Sequence, residues 1–154
     1  MASRRRAREY ALQALYQADL GDIAVMDALQ ALWAGLMDDE GIDELRPPES
    51  AEVEFAQRLV CGVSQHREAI DALIDECSTN WRLTRMPIVD RNIVRLAGFE
   101  LMKCEDIPSN VSINEAIELA KRFGGADSRA FVNGLVDRMG RQLGRVSPRK
   151  ARRK

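Results

Sequence analysis

From about residue 3 to residue 143, apolar side chains return every three or four positions, and apolar–polar alternation of the strand type hardly occurs. A chain patterned this way can bury its apolar residues only as helices. The pattern predicts a first helix from about Ser3 to Asp19, ending near Gly21. A second covers 22–38, with Val25, Leu29, Leu32, Trp33 and Leu36 at helical spacing. After an acidic loop, DDEGIDELRPPES at 38–50, a third helix covers 50–64 through Val53, Ala56, Leu59, Val60 and Val63. A break near Gln65-His66 leads to a fourth over 67–78. Pro87 suits a first helical turn, so a fifth helix covers about 87–104. In the sixth, Ser112 and Glu115 read as a capping box and Gly124 as the stop. Asp127 or Ser128 caps the last, whose inward side is Val132, Leu135, Met139 and Leu143. The expectation is an all-α protein of about seven helices in two small bundles that meet near residue 80, with residues 1–146 as one domain. The tail SPRKARRK, from Ser147, reads as disordered.

With 154 residues, 45% of them hydrophobic, the chain can bury a core; at 5% aromatics that core is mainly aliphatic. No run of about 18 apolar residues occurs, and the basic N-terminus lacks the apolar stretch of a signal peptide, so a cytoplasmic protein without a membrane partner is expected. Cys61, Cys77 and Cys104 fit no zinc or redox spacing and read as small buried hydrophobes. His66, the single histidine, reads as a surface or loop residue. The acids at 38–40 read as solvated rather than as a metal site.

The net charge of −1 conceals the layout. Residues 1–10 hold four arginines against one acid, and residues 138–154 hold eight basic residues and no acid. The stretch between them carries 11 bases and 23 acids. Basic ends on an acidic body suggest a polyanion at the ends and a basic partner on the body, or else a solvated tail and ordinary solubility.

The first helix opens with Arg4, Arg5, Arg6 and Arg8. A helix N-terminus carries about half a positive charge, so each cation there costs roughly 0.3–1 kcal/mol. Local stability would select acids. Placed at 100° steps, Ala7, Ala11, Leu12, Ala14, Leu15 and Ala18 form the core arc. Arg5, Arg6, Glu9, Tyr10, Gln13, Tyr16 and Gln17 fall opposite. Guanidinium, amide and phenol groups beside free helix N–H groups suit phosphates and unstacked bases. The alternative is a solvated, frayed first turn. No nucleophile–base pair or P-loop competes with these readings.

Four stretches resemble the NusB family of transcription antitermination factors: RRRAREYALQALYQ (4–17), VDRNIVRLAGFEL (89–101), IPSNVSINEAIELAKRFG (107–124) and SRAFVNGLVDRM (128–139). Residues 21–86 agree only in helical pattern. The resemblance implies an all-α fold of two bundles, no catalysis and no cofactor. It implies pairing with NusE, a small-subunit ribosomal protein, and binding of the pair to boxA, a single-stranded element in ribosomal RNA leader transcripts. It also implies a place in an RNA polymerase antitermination complex, as a monomer there and with homodimerisation open when free.

Carried over by matching motif, Arg4, Arg5, Arg6 and Arg8 become the arginine-rich RNA-binding segment, supported by Gln13. Phe123, Asp127, Ser128 and Phe131 become a second RNA-contacting patch, with Arg95 as a weaker member. Tyr16 and Asp90 match positions that meet NusE, and a basic ribosomal protein would supply cations for Asp90. Each has a plainer reading: Phe123 and Phe131 as core, Asp127 as an N-cap, Tyr16 as a shield over the core. Ala130 stands where a basic side chain would add a phosphate contact, and the C-terminal tail is more basic than the motif requires. Two other functions remain open at this point. One is a helical adaptor that binds only protein. The other is the NusB-like part of a ribosomal RNA methyltransferase, which would need a catalytic domain that this sequence does not contain.

Overall fold

A computed structural model describes residues 2–38, 47–79 and 81–146. Most of the acidic loop, including Asp39 and Glu40, and the basic tail from Ser147 lie outside the described residues. Among those described, regular structure is helical: α1 (Arg4–Gly21), α2 (Val25–Asp38), α3 (Ser50–Gln65), α4 (Arg67–Cys77), α5 (Ile88–Lys103), α6 (Ser109–Phe123) and α7 (Ser128–Gln142), with a 3-10 turn at Leu83–Arg85. No helix of the described residues is long and apolar enough to cross a membrane. The chain divides into two units, Met1–Arg67 and Glu68–Lys154. The sequence reading draws this division near residue 80, whereas in the structure α4 falls in the second unit.

In the first unit α1, α2 and α3 pack on one another. Ala7, Ala11 and Ala14 are fully buried, and their small side chains let the neighbouring helices close on α1. Leu12, Leu15 and Ala18 widen the stripe. So does Tyr10, which a helical wheel assigns to the polar arc. Its ring is buried and meets Trp33 of α2 edge-on, at 5.3 Å between centroids and 76° between planes. Gly21 stays helical, and the stop is Asp22, which adopts the left-handed conformation (φ 52°) and donates its N–H to the Ala18 carbonyl. Asp tolerates that conformation better than most residues.

In the second unit α5 is the central helix. Every residue from Asn92 to Leu101 is buried, because α4, α6 and α7 all pack against it. A Cβ on Gly98 would lie 3.0 Å from Ile70 of α4 and 3.1 Å from Met139 of α7, so any side chain there would push these neighbours back by a few tenths of an ångström. The buried polar groups on α5 have hydrogen-bond partners. The Arg95 guanidinium donates to both Asp71 oxygens at 2.9 and 3.2 Å, and Glu100 accepts from the Ser112 hydroxyl at 2.8 Å. That bond overturns the Ser112–Glu115 capping box. The helix begins at Ser109, with Pro108 at its N-cap, so Ser112 sits a full turn inside and faces the core.

Two arginines of the basic C-terminal stretch serve the fold. Arg138 donates to the Cys77 carbonyl at 2.9 Å, closing the end of α4. Arg145 donates to the Leu101 and Ile107 carbonyls at 2.6 and 3.0 Å. Both satisfy carbonyls that a helix end or turn leaves without an intrahelical donor. All three cysteines are free thiols; Cys77 and Cys104 are buried and Cys61 half-buried.

Candidate nucleic-acid interface

The start of α1 is built by its own cap and by α3. Ser3 adopts an extended conformation, and its side-chain oxygen accepts from the Arg6 N–H at 3.1 Å. The Ser3 N–H donates to Glu52 Oε2 at 2.8 Å, while Glu52 Oε1 accepts from the Glu49 N–H at 3.0 Å. One buried carboxylate thus ties the first turns of α1 and α3 together. It also faces Arg6, at 3.8 Å from Oε1 to Nη1. This acid opposes part of the repulsion that four arginines bring to a helix N-terminus.

The four arginines separate into two kinds. Arg4 and Arg5 are exposed, and Arg4 lies over the Phe55 ring at 4.5 Å. Arg6 is half-buried between Glu52 and the Tyr10 ring, 5.2 Å from the latter. Arg8 is only 3% exposed and packs against Phe55 from within, at 5.2 Å. The structure thus places Arg8 as a buried packing residue rather than an exposed cation: one turn after Arg4 on the same face, it lies deeper against the same ring of α3. Gln13 is exposed and Tyr16 half-exposed, so both remain accessible on α1.

The second group lies around the α6–α7 joint. Trp81, Asp90, Phe123, Asp127, Ser128 and Phe131 line one open cleft of about 710 Å³. Phe123 is 43% exposed, which excludes its reading as core, and Phe131 is half-exposed. Asp127 occupies the N-cap position of α7, but its side chain makes no cap hydrogen bond and is exposed. Ser128 and Asp90 are buried. The Ser128 hydroxyl donates to Asp90 Oδ1 at 2.7 Å and accepts from the Gly125 N–H at 2.9 Å. Ser128 thus holds the joint together, and the Asp90 carboxylate forms the cleft floor rather than an open surface acid. Arg95 is 5% exposed and bound to Asp71, so it does not belong to this patch; its position in the buried stretch Asn92–Leu101 of α5 decides that.

Gly124 closes α6 with φ −87°, not in the left-handed region. Its need for glycine is spatial: a Cβ there would lie 2.4 Å from the Ser128 Cβ and 2.7 Å from the Ala120 carbonyl oxygen. Sequence reasoning missed Glu52, Phe55 and Trp81. Glu52 has a local partner in Glu49, three positions back, but its tie to Ser3 spans 49 positions; Phe55 carries no local sign, since Arg4 lies 51 positions away. Trp81 does carry one, an aromatic beside Arg82 in a segment between helices. Among the described residues no group of three or more His, Cys, Asp or Glu side chains is placed to hold a metal ion.

Fold and site together define a small all-helical protein with a cationic helix start and an aromatic cleft. A model of the NusB family matches residues 5–141. The transcription antitermination protein NusB of Myxococcus xanthus is 49% identical, over 90% of this chain and 95% of its own length. NusB of T. maritima is 36% identical with a TM-score of 0.79, over 92% of this chain and 94% of its own. A chain from a crystal structure of the antitermination factors NusB and NusE in complex with double-stranded RNA has a TM-score of 0.76 at 22% identity, over 90% of this chain and 96% of that one. That last likeness is one of fold. The chain belongs to the NusB family, whose matched relatives are transcription antitermination proteins and not enzymes.

Proposed function

We propose that this protein is an RNA-binding antitermination factor. Together with NusE it binds single-stranded boxA RNA in ribosomal RNA leader transcripts and supports processive transcription within an RNA polymerase complex in the cytoplasm. Residues 1–146 act as one functional domain. The observation that carries the reading is the start of α1, where Arg4 and Arg5 stand exposed beside a helix N-terminus that is anchored by Ser3 and Glu52. Exposed guanidiniums, N–H groups and the helix dipole converge there, an arrangement suited to phosphates. Arg6 adds charge from behind, Gln13 extends the face along α1, and Arg8 holds the helix in place. Phe123, Phe131 and Asp127 form a second contact for the RNA, with Ser128 and Asp90 shaping it from below. The exposed part of Tyr16 is offered to NusE. Family membership supports the antitermination role, and the fold is shared with a chain from an assembly of NusB, NusE and RNA.

The test is binding of a short labelled boxA-like RNA and a scrambled control, with and without NusE, at two salt concentrations. Tighter binding of boxA in the presence of NusE, weakening with salt, is the expected result. Equal binding of both RNAs would reduce the protein to a general polyanion binder. No RNA binding in either condition would leave a helical adaptor for proteins.

A further inference from the structure

Trp81 is the largest exposed apolar side chain near the cleft, at 48% exposure, and the family reading gives it no part. Its ring lies 5.5 Å from that of Phe131, tilted by 43°. The two rings therefore meet at an angle and leave the indole with open surface. Phe123 lines the same cleft, so three aromatic rings border one hollow, whose volume of about 710 Å³ falls in the range of ligand clefts, ~300–1,000 Å³.

The segment that presents Trp81 is held from several sides. The Ser78 hydroxyl donates to the Trp81 carbonyl. The Leu83 N–H donates to the Asp75 carboxylate at 2.8 Å, and the Leu83 and Met86 side chains are buried. The ring is thus displayed by a backbone tied to Ser78 and, through Leu83, to Asp75, with buried apolar anchors two and five residues further on.

The rings and one cation beside them decide what the cleft suits: the exposed Arg122 lies over the Phe123 ring at 5.2 Å, while the charged groups that line the cleft itself are Asp90 and Asp127. Aromatic platforms with cations beside them are the pattern by which proteins stack unpaired bases and hold their phosphates. Asp127 adds an exposed carboxylate at the rim, an acceptor for base amino or imino hydrogens. We propose that Trp81 and Phe131 form a stacking platform that takes one unstacked nucleobase of a single-stranded RNA. This rests on the RNA-binding reading above and deepens it, adding Trp81 as a contact residue and a single base as the unit recognised.

The experiment uses the full chain with NusE and a labelled single-stranded boxA-like RNA, together with a set of the same RNA carrying one abasic position at a time. Binding is followed by anisotropy and, separately, by tryptophan emission. Trp81→Ala should weaken binding about tenfold, with unchanged helicity, and Trp81→Phe should restore most of the loss because a ring remains. RNA should quench emission in the wild type and not in Trp81→Phe, where only Trp33 emits. One abasic position should cost the wild type affinity and cost Trp81→Ala nothing further, since the platform for that base is already gone. Unchanged affinity in Trp81→Ala with intact RNA binding overturns the platform and leaves the RNA reading standing. Quenching by NusE alone and not by RNA overturns it in favour of a protein contact. Absence of RNA binding by the wild type with NusE removes the RNA reading and the platform together.

Discussion

Arg5 and Arg8 stand three positions apart in one arginine run, yet the fold uses them differently. Arg5 lies on the exposed stripe with Gln13, whereas Arg8 is buried against Phe55. Replacing Arg4 and Arg5 together by alanine should weaken RNA binding and cost less stability than Arg8→Ala, since Arg4 covers the Phe55 ring only from its exposed side. Because the double variant no longer neutralises two phosphates of a single strand, the dependence of log K on log salt should flatten by about 1.4; an unchanged slope would exclude these two as phosphate ligands. Arg8→Ala should instead cost about 1–2 kcal/mol of stability, because the stem no longer packs and the guanidinium no longer covers the ring, read as a fall of several degrees in Tm. Cys77 gives a pH prediction. Burial raises its thiol pKa above the ordinary value of 9.0, helped by nearby Glu76 and opposed by Arg138. An unfolded chain would lose this proton first, so the folded protein forfeits stability as pH rises through and beyond about 9. Cys77→Ser or Cys77→Ala, titrated by urea between pH 7 and 10, should remove that part of the alkaline decline.

At the scale of elements, the pairing of α1 with α3 runs through Glu52. Glu52→Ala strips the carboxylate from two backbone N–H groups and from Arg6, and should cost about 1–3 kcal/mol in urea unfolding. Gly124→Ala drives a Cβ into Ser128 and the Ala120 carbonyl, so it should destabilise the second unit by about 1–3 kcal/mol, visible as earlier loss of amide protection in α7. Helix existence and extent were legible in the sequence because apolar spacing and flanking Gly or Pro are local signals. What was not legible depended on distant partners. Tyr10 looks polar on a wheel until Trp33 is placed beside it. Ser112 looks like a cap until Glu100 of the preceding helix claims its hydroxyl. Gly21 looks like a stop, but the chain turns one residue later, at Asp22. The candidate site divides in the same way. The arginine run announces itself, while the roles within it are assigned by Phe55 and Glu52, far along the chain on α3.

For the whole molecule, charge by sequence overstates the charge available to a polyanion. Arg138 and Arg145 occupy backbone carbonyls, and Arg141 pairs with Asp137 at 2.9 Å. Arg145→Ala should therefore lower stability, through the freed Leu101 and Ile107 carbonyls, and leave the salt dependence of RNA binding unaltered; a flattened slope would return Arg145 to the interface. The burial pattern of the first helical turns has a consequence for mutational mapping. If every substitution at positions 4–8 were scored twice, once for cellular abundance and once for RNA capture, the arginine run would not behave as one motif. Positions 4 and 5 would tolerate most replacements by abundance and few by capture. Position 8 would fail both scores together, and its loss of capture would vanish once normalised to the amount of folded protein.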